Sequence, residues 1–444
     1  MKIIIVGAGE VGRHLAKMLS NENQDIVLMD SDENRLKDLD TNYDLLTKVG
    51  SPTSIKDLEE SGVKDADLFI AVTPEESINM TACMLVNNLG AHKTLARIDN
   101  YEYLQPKNKD FFEKLGVAHL IYPEMLAAQE IAESLKTSWL RQRTSFCNEA
   151  LTLLVIKVRD NSIIINRTFD TGYFNHKQYR IVAIKRNNVT IIPTGSDMVL
   201  AGDIVYFMTT KENMKFVREQ AGKSDFQIRN VMIMGGSRIA QKTIQILPPH
   251  VKVKILERDR EKSYCLAEKL DNTMIINGDG RNIELLKEEG IQEMDAFIAV
   301  TANSEANILA CLAAKRLGVR KTVAEVENID YIMLAESMDI GTVINKKMIA
   351  ASYIYQLTLD ADILDVRSLA AADAEVVEFI AKPGAKITKS KIKDFRLPDQ
   401  VNIGGYVRDG IGYIVDGNTV IIPNDHVIVF CVSSAIRKIE HFFN

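Results

Sequence analysis

The chain has 444 residues, of which 46% are apolar and 26% charged, with a formal net charge of −6. That length exceeds what one hydrophobic core supports, so about two to four domains are expected, and the composition excludes a disordered or low-complexity chain. The acidic balance and the lack of any basic run exclude a general affinity for nucleic acid, and no apolar run approaches the roughly 20 residues of a membrane helix.

From the N-terminus, six strand-like runs follow one another: KIIIVG (2–7), DIVLMD (25–30), DLLTKV (44–49), DLFIAV (67–72), TLARI (94–98) and HLIYP (119–123). Stretches between them carry apolar residues three and four apart, as at Met80 and Met84, which is the signature of βαβ units and a parallel sheet. The first run carries one lysine and no small-residue cleavage site, so no signal peptide is expected. A helix is predicted over 126–136, with Ile131 and Leu135 on one face and Met125 and Ala128 nearby, either as a candidate intersubunit or interlobe element or, equally, as an ordinary sixth helix packed on its own sheet. Short strands then alternate with Gly, Asn and Asp turns: LTLLVIKV (151–158), IVAIKR (181–186) and DIVYFM (203–208), closed by an amphipathic helix at 214–217. Six more runs begin at VMIMGG (231–236) and end at TVIN (342–345), and a last β-rich segment holds HVIVFCV (426–432) before a helix at 435–443.

The second half repeats the first. Asp67, Thr73, Asn79 and Gly90 recur 228 residues later as Asp295, Thr301, Asn307 and Gly318, and Gly195 and Asp203 recur as Gly417 and Asp425. The fold class predicted is therefore α/β, with two doubly wound parallel-sheet Rossmann domains (1–138 and 228–358), each followed by a small α+β, β-rich C-terminal lobe (145–222 and 365–444).

The motif with chemical content is Gly7-Ala8-Gly9-Glu10-Val11-Gly12, directly after a strand and opening a helix. Gly7 permits the tight turn, Gly9 leaves room for a pyrophosphate against the backbone, and Gly12 lets the helix pack closely, with the helix N-terminus favouring the anion. Asp30 ends the second strand, where a carboxylate accepts from adenosine ribose hydroxyls and repels a 2′-phosphate, so NAD(H) or an adenine nucleotide is expected over NADP. The second copy reads Gly235-Gly236-Ser237-Arg238-Ile239-Ala240. Here Ser237 places a side chain in the pyrophosphate approach, Arg238 offers a compensating charge, and Glu257 and Asp279 keep carboxylates at the strand ends. Thr73 and Thr301 end the fourth strands. Thr73-Pro74-Glu75-Glu76 also reads as a capping box with Pro at the first helical position. Arg97, ending the fifth strand, has Glu325 as its counterpart, and a phosphate, a partner subunit or a surface salt bridge all remain open for it.

Catalytic groups are not assembled by the pattern. The seven histidines, His14, His92, His119, His176, His250, His426 and His441, form no cluster, and neither β-rich segment repeats a proton donor or acceptor. The five cysteines, Cys83, Cys147, Cys265, Cys311 and Cys431, lack CxxC spacing, so free thiols are expected rather than disulfides or a zinc site. The nucleotide is then better read as a signal than as a reactant. The alternative is an NAD-dependent oxidoreductase whose duplicated halves form an internal dimer.

The order GAGEVG, VLMD, FIAVT, crossover helix and small β lobe, all duplicated, resembles the TrkA family of potassium-uptake regulators, with two consecutive domain pairs of the type that regulates potassium conductance (RCK domains). The resemblance covers nearly the whole chain. It implies a cytoplasmic regulatory subunit with no enzymatic role, peripheral to the inner face of the plasma membrane. The implied partner is an integral membrane potassium translocating subunit of the TrkH type, against which these proteins assemble as homo-oligomeric rings (dimer or tetramer). It also implies NAD(H), with ATP or ADP as further ligands, on Gly7 to Val11, Asp30, Thr73 and Arg97. The family's Gly-Asp after the third strand survives as Gly278-Asp279 but is Gly50-Ser51 in the first copy, so Ser51 departs from the pattern at one ligand contact.

Overall fold

The computed structural model describes the chain except residues 21–23, 38, 175–176, 188, 329, 358–362, 369–373, 396, 399, 433–434 and 444, and describes only the backbone of 356, 363–368 and 437. His176 thus lies outside the described residues.

The first six strands are β1 (Lys2–Val6), β2 (Asp25–Asp30), β3 (Leu46–Val49), β4 (Leu68–Ala71), β5 (Lys93–Arg97) and β6 (His119–Ile121), arranged β3-β2-β1-β4-β5-β6. All pairings are parallel, with Ile4 beside Val27 on one side and Phe69 on the other. Ile3, Ile4, Ile5 and Leu68 to Ala71 are wholly buried because helices cover both faces of such a sheet, which is why these runs are continuously apolar. Each buried side chain of this size contributes about 1.5–3 kcal/mol. The chain order reverses between β1 and β4, the switch point beside which ligands of doubly wound sheets collect.

The second copy follows the same plan. Strands β12 (Asn230–Met234) to β17 (Thr342–Ile344) order as β14-β13-β12-β15-β16-β17, with β13 at Lys252–Glu257, β14 at Thr273–Asn277, β15 at Ala296–Ala299 and β16 at Lys321–Glu325. The intervening antiparallel sheet is β10-β9-β11-β8-β7, from β7 (Gln142–Phe146), β8 (Leu151–Lys157), β9 (Tyr179–Arg186), β10 (Val189–Ile191) and β11 (Ile204–Thr209). The last is β18-β19-β22-β20-β21, from β18 (Ile363–Ser368), β19 (Glu375–Ile380), β20 (Val401–Arg408), β21 (Ile411–Ile414) and β22 (His426–Cys431). The two antiparallel sheets share one core, in which Leu153, Val155, Val182, Tyr206 and Met208 of the first pack with Val376, Ile428 and Phe430 of the second. Joining the two sheets covers one apolar face of each.

Two compact units divide the chain: Met1–Ala127 with Asn345–Thr358, and Ala128–Ile344 with Leu359–Asn444. The first unit contains an exchange between repeats. The helix Lys346–Gln356, which follows β17, packs on the helix Glu10–Ser20 of the first sheet, and Lys347 pairs with Glu10. The face of the helix over 126–136 is covered within the chain, as the interlobe and sheet-packed readings expect and the intersubunit reading does not. In the observed helix Pro123–Lys136, Met125, Ala128, Ile131 and Leu135 are at most 6% exposed within the single chain.

Candidate functional site

The loop after β1 is shaped by three glycines with three different constraints. Gly7 sits at φ +100°, and a Cβ there would lie 2.9 Å from the Thr73 nitrogen. A Cβ on Gly12 would lie 1.9 Å from the Gly7 carbonyl oxygen. At Gly9 a Cβ would meet nothing within 4 Å. Packing therefore demands Gly7 and Gly12, whereas Gly9 leaves its backbone open to something outside the chain, at the first turn of a helix that starts at Glu10. The residues present fit a phosphate-bearing group there.

Asp30, 6% exposed, fixes the loop from the neighbouring strand. Its Oδ2 accepts from the Ala8 N–H at 2.7 Å and its Oδ1 from the Asp32 N–H at 2.9 Å, and Arg35 approaches Oδ2 at 3.7 Å. The second copy reproduces this: Glu257 accepts from Gly236 N–H at 2.9 Å and Asp259 N–H at 3.0 Å, and pairs with Lys262 at 2.8 Å. Burial pushes the Glu257 carboxyl up, but the hydrogen bonds from Lys262, Asp259 and Gly236 together outweigh it and hold the pKa below the usual range. The strand-end carboxylates thus clamp the glycine loops in both copies, while Asp30 keeps lone pairs for hydroxyl donors.

Ser237 stands where Gly9 stands, lines the adjoining cleft and also caps a helix. Its Oγ accepts from the Ala240 N–H at 3.3 Å and caps the helix Arg238–Ile246. The side chain takes up one of the helix-terminal donors that an anion would otherwise use. Gly235 keeps the left-handed turn at φ +96°, and Ile239 is buried in the core. Arg238 is exposed and does not line the adjoining cleft of about 460 Å3; the cations that do are Arg258, Lys262 and Arg281. Asp279 also lines it, and a hydrogen-bonded pairing with Arg281 lowers its pKa to about 2.

Thr73 does not cap a helix, contrary to the capping-box reading. The helix begins at Glu76 with Glu75 as its N-cap, and exposed Pro74 precedes it. Thr73 is held instead by Asn79, which is wholly buried: Asn79 Oδ1 accepts from the Thr73 N–H at 2.9 Å and from Oγ1 at 2.7 Å. Asn79 Nδ2 donates to the Thr73 carbonyl at 3.0 Å and the Arg97 carbonyl at 2.9 Å. Asn307 repeats the clasp on Thr301 and the Glu325 carbonyl. Their chemistry alone does not single out these asparagines, although the 228-residue offset marks them as paired positions. The Arg97 guanidinium lies 3.6 Å from Asp99 and 3.9 Å from Glu124, the salt-bridge outcome, with its Nε buried and lacking a hydrogen-bond partner among the described residues. Ser51 N–H donates to Asp57 at 2.8 Å, so the first copy fills its departure from Gly-Asp with a carboxylate from the following helix. Gly7 to Gly12, Asp30, Thr73 and Arg97 all fall at the carboxyl edge of the first sheet.

Among the described residues, one group of side chains has the donors to hold a metal ion: Cys147, Glu378 and His426 offer ligand atoms within 4.8 Å of one another, with His426 Nδ1 and Glu378 Oε1 2.8 Å apart. A sulfur, nitrogen and oxygen set suits zinc. Residues so far apart in sequence leave no spacing signal.

Comparison with known proteins agrees with this architecture. The TrkA-N domain model matches residues 3–123 and 231–346, and the TrkA-C domain model matches 153–222 and 376–444. The Trk system potassium uptake protein TrkA of Haemophilus influenzae is 34% identical, the alignment covering 100% of this chain and 98% of that protein. That of Vibrio alginolyticus is 32% identical over the same shares, and TrkA homolog 2 of Methanosarcina mazei is 30% identical with full coverage of both. Among solved structures, the GsuK RCK domain aligns with a TM-score of 0.60 at 15% identity, covering 100% of this chain and 94% of that one. The GsuK channel bound to NAD aligns at 0.59 and 15%, covering 100% and 78%. With both domain models matched twice and relatives similar along their whole length, this chain belongs to the TrkA family of Trk-system potassium uptake proteins.

Proposed function

We propose that the chain is the cytoplasmic, nucleotide-binding regulatory subunit of a Trk-type potassium uptake system, not an enzyme, and that NAD(H) is the ligand of its first Rossmann edge, with ATP or ADP as competing ligands. The observation that carries the reading is Gly9, a glycine that packing does not require, at the mouth of a loop that Gly7, Gly12 and Asp30 fix in place. A bound nucleotide supplies negative phosphates and ribose hydroxyls. The Glu10–Ser20 helix N-terminus meets the former and Asp30 the latter. Ala8, Val11, Ser51, Thr73, Pro74 and Arg97 frame the same edge, and Gly235 to Ile239, Glu257, Asp279 and Thr301 frame its weaker counterpart.

No helix among the described residues is long and apolar enough to cross a membrane. Attachment to the inner face of the plasma membrane therefore runs through an integral potassium translocating subunit of the TrkH type, with the chain as a homo-oligomer, dimer or tetramer, in a closed ring. The helix Lys346–Gln356 resting on the Glu10–Ser20 helix places an element of the second repeat directly behind the first glycine loop. Any difference in nucleotide affinity between two ring states is returned as a bias on the gate, and the gate alters nucleotide affinity by the same factor.

Titration calorimetry with NADH, ATP and ADP tests the reading. Gly9→Ala and Asp30→Ala are expected to weaken NADH binding at least tenfold, and Glu257→Ala only slightly. Equal losses for Asp30→Ala and Glu257→Ala, or full binding by Gly9→Ala, would refute it.

A further inference from the structure

Away from the nucleotide edges, a cleft of about 490 Å3 opens between the first antiparallel lobe and the amino-terminal edge of β16 and β17. Arg141, Lys157 and Arg159 come from the lobe, Lys223 from the connection that follows it, and Lys315, Arg320 and Lys321 from the second Rossmann sheet and its helix. Against these seven basic side chains the lining holds one carboxylate, Asp339, in a chain whose overall net charge is −6.

Asp339 accounts for part of this. It sits at φ +55° and pairs with Arg141 at 2.7 Å, Lys315 at 2.9 Å, Lys157 at 3.3 Å and Arg159 at 3.5 Å, so a single negative charge is shared among four positive ones. Arg320 lies over the Phe226 ring at 3.8 Å. Lys321, 4% exposed, donates to the Leu140 carbonyl at 2.7 Å and Thr342 Oγ1 at 3.1 Å, both neutral. Burial, reinforced by the neighbouring cations, lowers Lys321 to about 7 and Lys223 to about 8. An apolar or hydrogen-bonded seam would join these lobes without such mutual repulsion, so the concentration of charge calls for an anion that the chain does not supply.

The geometry points to a binding site in this cleft for a small molecule carrying several phosphate groups. The volume suits a ligand of that size, the guanidinium forks of Arg141 and Arg159 match phosphate oxygens in pairs, and the lysines add point charges around them. Because the walls belong to different lobes, occupancy would tie the first antiparallel lobe to the second Rossmann sheet. The site is independent of the glycine loops, which lie at the opposite, carboxyl edge of the sheets.

The one tryptophan in the chain, Trp139, lines the cleft and reports on it directly. Sodium tripolyphosphate, titrated at constant ionic strength into the full-length protein, should give a saturable change in Trp139 fluorescence, with sulfate giving none. Lys223→Ala with Arg159→Ala, which leaves Arg141 and Lys315 on Asp339, should weaken the apparent affinity at least tenfold while circular dichroism stays unchanged. Gly9→Ala should leave the titration as it was. No saturable change, an undiminished response in the double variant, or a response lost in Gly9→Ala would each overturn the site. So would a response to phosphatidylglycerol vesicles without one to tripolyphosphate, which would reassign the cations to a lipid headgroup.

Discussion

Asn79→Ala is predicted to loosen the carboxyl edge of the first sheet. The asparagine is wholly buried and makes four hydrogen bonds, to the N–H, Oγ1 and carbonyl of Thr73 and to the carbonyl of Arg97. After truncation the Thr73 hydroxyl keeps the Glu75 carbonyl at 3.3 Å, but three backbone groups lose their partner. At about 1 kcal/mol for each, the loss is about 3 kcal/mol. Since about 1.4 kcal/mol is tenfold in an equilibrium, amides of the Val72–Glu75 segment should exchange with deuterium roughly a hundredfold faster. Hydrogen exchange read by mass spectrometry on that peptide measures it, and Asn307→Ala should do the same around Thr301. Acceleration of less than about tenfold at both positions would refute the clasp as the element that holds the edge.

The buried pair Lys185–Glu336, 2.7 Å apart with both side chains under 10% exposed, joins β9 to the helix Asp330–Ser337, so Lys185→Met alone should cost about 3–5 kcal/mol by urea denaturation, and adding Glu336→Leu should recover most of it. Asp339 predicts an acid limit: burial pushes its carboxyl up, but Lys315, Arg141 and Lys157 together depress the folded pKa far below the unfolded value. Its stabilisation is therefore fully present above about pH 4 and lost as pH falls through the folded pKa, and Asp339→Asn should flatten the decline in melting temperature below pH 4.

Much of the fold is legible because central parallel strands covered on both faces are apolar throughout, and all twelve predicted Rossmann runs carry strands, including the part-exposed edge strands β3 and β14. The small lobes are less legible. Gln142–Phe146 is polar because it pairs only with β8 at the sheet edge, so its pattern carries no strand signal. Val401–Arg408 contains Gly404 and Gly405, which read as a turn; they lie inside β20 at a register shift, where Cβ atoms would come within 3.0 Å of Val182 and 2.9 Å of Leu151 in the facing sheet. The glycine fingerprint and strand-end acids were visible as motifs, since local turns and helix starts depend on neighbouring residues. Asn79, the Cys147–Glu378–His426 group and the basic cleft were not, because their partners are brought together only by the packing of distant segments.

Potassium flux through the reconstituted membrane subunit tests the central claim most directly. Rubidium uptake into liposomes holding the translocating subunit should change severalfold when NADH, ATP or ADP is added, only when this protein is present, and the response should vanish with Gly9→Ala. Flux indifferent to the protein, or steady oxidation of NADH in place of a flux response, would contradict the account.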